Sequence, residues 1–131
     1  MSIPWWVLVV DDDAEVNALI VEMLRDEGFP AHGLTHARAA MALLESATPP
    51  GFIIADMTMP EIDGLDLVGR AESHGIKGML ITAADPRRFK AGPTAPVLRK
   101  PFEVDELIRV VSRHRPATSV AEGPAPLAAT A

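Results

Sequence analysis

The sequence predicts an α/β domain in which a parallel sheet is covered by helices on both faces. Short apolar runs alternate along the chain with stretches of helical periodicity. Two of the runs, Trp5 to Val10 and Phe52 to Ala55, are apolar without interruption, as strands buried on both faces are. Both end abruptly in carboxylates, at Asp11-Asp12-Asp13 and at Asp56. Strands joined by helices imply right-handed βαβ crossovers. In such sheets, binding sites form at the carboxyl edge.

The first strand is expected over Trp6 to Val10, with Trp5 and Trp6 packing at its far end from the carboxylates. From Ala14 to Glu27, the residues Val16, Leu19, Ile20, Met23 and Leu24 recur at helical spacing; Asp13 reads as the N-cap and Gly28 as the stop. Ala31 to Leu34 reads as an edge strand, since Pro30 and Gly33 suit an edge better than a centre. Ala37 to Ala47 is an alanine-rich helix with Met41 and Leu44 as its larger apolar contacts, and Pro49-Pro50-Gly51 breaks the chain before the strand that ends at Asp56. A short helix over Leu65 to Ser73 closes near Gly75, and Met79 to Thr82 is the next strand. The stretch Ala83 to Ala95 holds Pro86, Gly92 and Pro93, which leaves only Arg87 to Ala91 for a helical turn. Pro96 to Leu98 is the last strand, and Val104, Leu107, Ile108 and Val111 stripe the last helix. One domain is expected over 1–115. The tail 116–131, almost all Ala, Pro, Thr, Gly and Ser, buries too little apolar surface to order itself.

Composition narrows the function. The 131 residues are 48% hydrophobic and 23% charged, ordinary for a soluble globular protein. No charged n-region leads into a long apolar stretch and no apolar segment approaches membrane-spanning length, so a cytoplasmic protein is expected. A formal net charge of −6 argues against general affinity for nucleic acid or anionic membrane. The absence of cysteine excludes disulfides, zinc–thiolate sites and thiol catalysis. His32, His36, His74 and His114 show no ligand spacing. If the two carboxylate-ended strands are neighbours, at least three carboxylates meet at one edge of the sheet. Like charges that close cannot all stay ionised without a cation. The arrangement suits a divalent metal beside a reactive aspartate.

Four pieces of sequence together resemble the receiver domain of two-component response regulators, of the stand-alone type. They are Val9-Val10-Asp11-Asp12-Asp13, Asp56-Met57-Thr58-Met59-Pro60 with Asp63-Gly64, Thr82-Ala83, and Lys100-Pro101-Phe102, in family order and spanning Val7 to Arg113. The resemblance implies a flavodoxin-like five-stranded parallel sheet of order 2-1-3-4-5 with five helices, the fourth short or irregular. It implies that Asp56 accepts a phosphoryl group from a phosphohistidine on a sensor histidine kinase or histidine phosphotransfer protein. A carboxylate can attack phosphorus to give an acyl phosphate, and Mg²⁺ neutralises charge on the phosphoryl oxygens. Under this resemblance Asp12 and Asp56 are direct Mg²⁺ ligands, Asp11 acts directly or through water, and the main-chain carbonyl of Thr58 is a further ligand. Lys100 supplies a point charge and pairs with Asp56 before phosphorylation, and Thr82 donates its hydroxyl. A cis Lys100-Pro101 peptide is implied, while Pro60 and Gly64 shape the loop after Asp56. Kinase contacts fall on the exposed part of the first helix, including Asn17, and on the loop after Pro101.

Two features depart from the family pattern. Val97 stands where receivers often carry an aromatic residue that swings with the threonine. Thr82 and Lys100 are 100 − 82 = 18 positions apart, a short span. Both point to an unusual output surface, involving the Ala84 to Pro96 segment. Thr58 and Ala84, each two positions past a site residue, are small and neither block nor place an attacking water.

Only 16 residues (116 to 131) follow the last helix region, so output is expected through contacts with a downstream protein target, the domain being a monomer or weak dimer. It is expected to catalyse only its own phosphorylation and dephosphorylation. Two further readings stay open: a pseudo-receiver that binds partners without phosphorylation, and a relay intermediate or phosphate sink. A magnesium-dependent phosphohydrolase is disfavoured, because Thr58 occupies the place of its general acid. Nucleotide hydrolysis is disfavoured by the lack of a glycine-rich phosphate loop.

Overall fold

A computed structural model describes residues 5–84 and 95–116. Five strands form one parallel sheet: β1 (Val7–Val10), β2 (Ala31–Leu34), β3 (Phe52–Asp56), β4 (Lys77–Thr82) and β5 (Val97–Arg99). Their order is β2-β1-β3-β4-β5, the flavodoxin-like order implied by the resemblance. Four helices lie among the described residues: α1 (Ala14–Asp26), α2 (Ala37–Leu44), α3 (Gly64–Ser73) and α4 (Val104–His114). The expected fourth helix, for which only Arg87 to Ala91 is available, and all but Pro116 of the tail 116–131 fall outside the described residues.

The alternation of strand side chains divides the core in two. Leu8, Val10, Ile53, Ala55 and Leu80 face α2 and α3, where they meet Ala40, Leu44, Leu67 and Ala71. Val7, Val9, Phe52, Ile54 and Ile81 face α1 and α4, against Ile20, Leu24, Leu107 and Val111. Because both faces are covered, β1 and the first four residues of β3 need to be apolar, which explains their unbroken runs. Trp5 and Trp6 are buried just ahead of β1, as expected of packing residues. β1 proper begins one residue later than expected, and the carbonyl of Trp6 accepts from the N–H groups of Gly51 and Phe52 instead.

Element ends follow local chemistry. Asp13 caps α1, accepting from the N–H groups of Glu15 and Val16 at 3.0 and 3.2 Å. Gly28 (φ 87°) and Gly75 (φ 78°) take the left-handed conformation that closes α1 and α3; Phe29 N–H reaches back to Leu24 O and Ile76 N–H to Ala71 O. α2 stops at Leu44, short of the expected Ala47, because Glu45 and Ser46 donate to carbonyls three residues back and Ser46 Oγ donates to Leu43 O. β4 starts at Lys77, two residues before expectation, and Gly78 is part of it. A Cβ on Gly78 would lie 2.6 Å from the side chain of Ile53, so glycine permits close pairing with β3. β5 is shifted one residue toward Arg99, with Pro96 contributing its carbonyl to Leu80 N–H at 2.8 Å. Leu19 departs from the expected buried stripe and is 52% exposed. The sheet-facing line of α1 runs through Asn17, Ile20 and Leu24, and Leu19 lies about 100° around the helix from Ile20.

Candidate functional site

Every strand end named in the sequence is delivered to the carboxyl edge of the sheet. Asp11 follows β1 and is completely buried, while the adjacent Asp12 is exposed. Asp56 closes β3 at the neighbouring position. Oxygen atoms of Asp11, Asp12 and Asp56 all lie within 4.8 Å of one another. The next two strands beyond β3 supply Thr82, buried at the end of β4, and Lys100, just past the edge strand β5.

Two hydrogen bonds hold the Asp11 carboxylate. Its Oδ1 accepts from the Asp13 N–H at 2.9 Å, and its Oδ2 accepts from Lys100 Nζ at 3.2 Å. Lys100 Nζ also lies 3.6 Å from Asp56 Oδ2. The expected Lys100–Asp56 pair is therefore a bridge, with the shorter arm on Asp11. The Lys100 N–H donates to Thr82 O at 2.7 Å, which ties the end of β5 to the end of β4, and the Lys100–Pro101 peptide is cis. Thr82 Oγ1 accepts from the Ala84 N–H at 3.0 Å, so its own proton is left for a further acceptor.

Asp56 is set by its own loop. Thr58 turns its N–H back to Asp56 Oδ1 at 3.4 Å, and the Met57 N–H donates to Ile81 O at 2.8 Å. Gly64 opens α3 against the same backbone. Its N–H donates to Met57 O at 2.9 Å, and a Cβ there would stand 2.2 Å from Asp56 O. Glycine is required by that approach, so Gly64 has a more specific part than shaping a loop. Burial raises the Asp56 carboxyl above its ordinary value, and the Asp11 charge raises it further. Lys100 and the Thr58 N–H act in the opposite direction, and Asp12 adds a smaller upward push.

Asn17 corrects an expectation. Instead of facing a partner from the exposed side of α1, it is buried, and its Nδ2 donates to the carbonyls of Val9, Asp11 and Leu34 at 3.3, 3.1 and 2.9 Å. Gly33 makes room for it, since a Cβ on Gly33 would fall 1.9 Å from Asn17 Oδ1. The amide thus clamps the end of β1 to β2 directly behind Asp11. The signal was present in the sequence: Asn17 lies three and seven residues before the buried Ile20 and Leu24, on the sheet-facing phase of the helix.

The histidines stand apart from this chemistry. His32 is partly buried; burial, and then Arg25, lower its imidazole below the usual value. His36 borders a cleft of about 210 Å³ that Asp12, Thr35, Met59, Pro60 and Glu61 also line. Val97 is partly buried against the α2–α3 side of the core and pairs with Leu80.

The donor set fits a hard divalent cation. It consists of oxygen atoms alone, with a net negative charge and one exposed carboxylate through which an ion could enter. No described helix is long and apolar enough to cross a membrane.

Comparison with known proteins bears on the same residues. The response regulator receiver domain family matches residues 7–112. An uncharacterised 14.6 kDa protein of Leptolyngbya boryana is 33% identical over 116 residues, covering 82% of this chain and 88% of that one. The transcriptional regulatory protein PdtaR of Mycobacterium tuberculosis is 30% identical over 129 residues, covering 91% of this chain; the chain spans 62% of PdtaR's length. Among solved structures, the response regulator TrrA of Thermotoga maritima, in complex with Mg(2+)-BeF, is 29% identical with a TM-score of 0.74, covering 85% of this chain and 99% of that one. The matched region contains the acidic cluster, Thr82 and Lys100, and the chain belongs to the response regulator receiver domain family.

Proposed function

We propose that Asp56 is the phospho-acceptor of a two-component signalling pathway, taking its phosphoryl group from a phosphohistidine on a sensor histidine kinase or histidine phosphotransfer protein. The observation that carries this reading is the convergence of Asp11, Asp12 and Asp56 oxygens within 4.8 Å, with Lys100 Nζ 3.2 Å from Asp11 and 3.6 Å from Asp56. Membership of the family and the Mg(2+)-BeF complex of TrrA support it.

A carboxylate oxygen of Asp56 forms the new O–P bond while the P–N bond of the phosphohistidine breaks. The imidazole leaves with that electron pair and gains a proton. Asp11, Asp12, Asp56 and the Thr58 carbonyl would hold Mg²⁺, which when bound neutralises charge on the phosphoryl oxygens. Lys100 supplies a second positive charge, moving from its apo partners onto a phosphoryl oxygen. Thr82 donates its remaining proton to another of those oxygens. Asn17 holds the Asp11 backbone in register during the exchange and touches none of the reacting atoms. The chain catalyses only its own phosphorylation and dephosphorylation. We place it in the cytoplasm, signalling by contact with a downstream protein; its net charge of −6 disfavours direct binding to nucleic acid.

Incubation with acetyl phosphate and Mg²⁺, followed by intact mass measurement beside Asp56→Asn, tests this. A single phosphate adduct on the wild type alone is expected. Equal adducts on both proteins, or none with any donor, would overturn the assignment.

A further inference from the structure

Away from the acidic site, α2 and α3 leave a groove of about 530 Å³ lined by Met41, Ile62, Leu65, Asp66, Gly69 and Arg70. Leu65 is 38% exposed, one of two large apolar side chains so placed among the described residues. Gly69, one turn further on, is exposed within α3, and a Cβ there would meet nothing within 4 Å. Glycine weakens a helix interior, and no contact among the described residues requires it at this position. The face therefore offers an apolar knob and, four residues later, a notch. Asp66 and Arg70 repeat the same four-residue step with opposite charges.

We propose that this face of α3 is the interface of a homodimer in which two copies pack antiparallel about a two-fold axis. Such an interface must be complementary to itself, because every contact of i with j recurs as j with i. Reversing α3 against its own image meets that condition. Leu65 of each copy enters the notch at Gly69 of the other, and Asp66 of each faces Arg70 of the other. Met41 and Ile62 form the apolar floor beneath both. The paired charges select a second copy over an unrelated protein, since the helix carries both the knob with its notch and the anion with its cation.

Sedimentation of the full chain without a phosphodonor, from micromolar concentration to about 1 mM, tests the proposal independently of any role of Asp56. A concentration-dependent dimer is expected. Asp66→Arg and Arg70→Asp each weaken association roughly tenfold, and the double variant returns to within about threefold of wild type. Gly69→Ala raises the thermal midpoint of the monomer yet weakens association, opposite effects that a purely structural role would not produce. A wild type that stays monomeric throughout the range, or charge-reversal variants that associate as wild type does, would overturn the interface.

Discussion

Lys100 Nζ sits between Asp11 and Asp56, 3.2 Å from one carboxylate and 3.6 Å from the other, on a side chain that is 24% exposed. Asp11 is wholly buried, so this ammonium is the cation that makes its charge tolerable without metal. Lys100→Met should therefore lower apo stability by about 2 kcal/mol, less than for a fully buried pair because Lys100 is partly solvated. Urea unfolding in the presence of a chelator checks this, and an unchanged midpoint would show that water, not Lys100, solvates Asp11.

Asp56 works against the fold when ionised. Burial and then Asp11 raise its pKa, so the folded chain keeps the proton to a higher pH than the unfolded chain, whose ordinary value is 3.8. The penalty is complete above the folded-state pKa and fades as pH falls toward the unfolded value. Asp56→Asn should raise the thermal midpoint by roughly 2–5 °C at pH 7 without metal, with the gap closing toward about pH 4. Adding Mg²⁺ should narrow the gap from the other side, by stabilising the wild type alone. A variant that melts below the wild type at pH 7 would contradict the assigned electrostatics.

Asn17 should matter for both stability and metal affinity. Asn17→Ala removes the donor shared by three carbonyls and should cost about 1–3 kcal/mol in urea unfolding. Gly33→Ala should mimic it, because the added Cβ displaces the same amide. Calorimetric titration with Mg²⁺ should show several-fold weaker binding by folded Asn17→Ala. Unaltered affinity would confine Asn17 to the packing of α1 on β2.

The sheet and its site were legible because the site residues terminate strands whose apolar runs are hard to mistake. Val7 to Val10 and Phe52 to Ala55 are buried on both faces, so composition alone marks them, and the carboxylates that follow mark the functional edge. Less legible were features created by contact between distant segments. Nothing local says that Gly78 belongs to β4; its reason is the Ile53 side chain across the ladder. Gly64 reads as a loop residue until α3 is seen resting on the Asp56 carbonyl. Asn17 looked exposed because a polar residue on an amphipathic helix usually is, and its three carbonyl partners come from two different strand ends. The bridging position of Lys100 depends on the burial of Asp11, which a run of three aspartates does not reveal.

The most direct test of the account is to locate the phosphoryl group. Full-length protein phosphorylated with acetyl phosphate and Mg²⁺ is reduced with borohydride, which converts an acyl phosphate to the alcohol, and is then mapped by peptide mass spectrometry. The account predicts homoserine at position 56, and nothing at Asp11, Asp12 or Asp13. Reduction at another aspartate, or phosphate retained on a histidine such as His36 with position 56 unmodified, would contradict it.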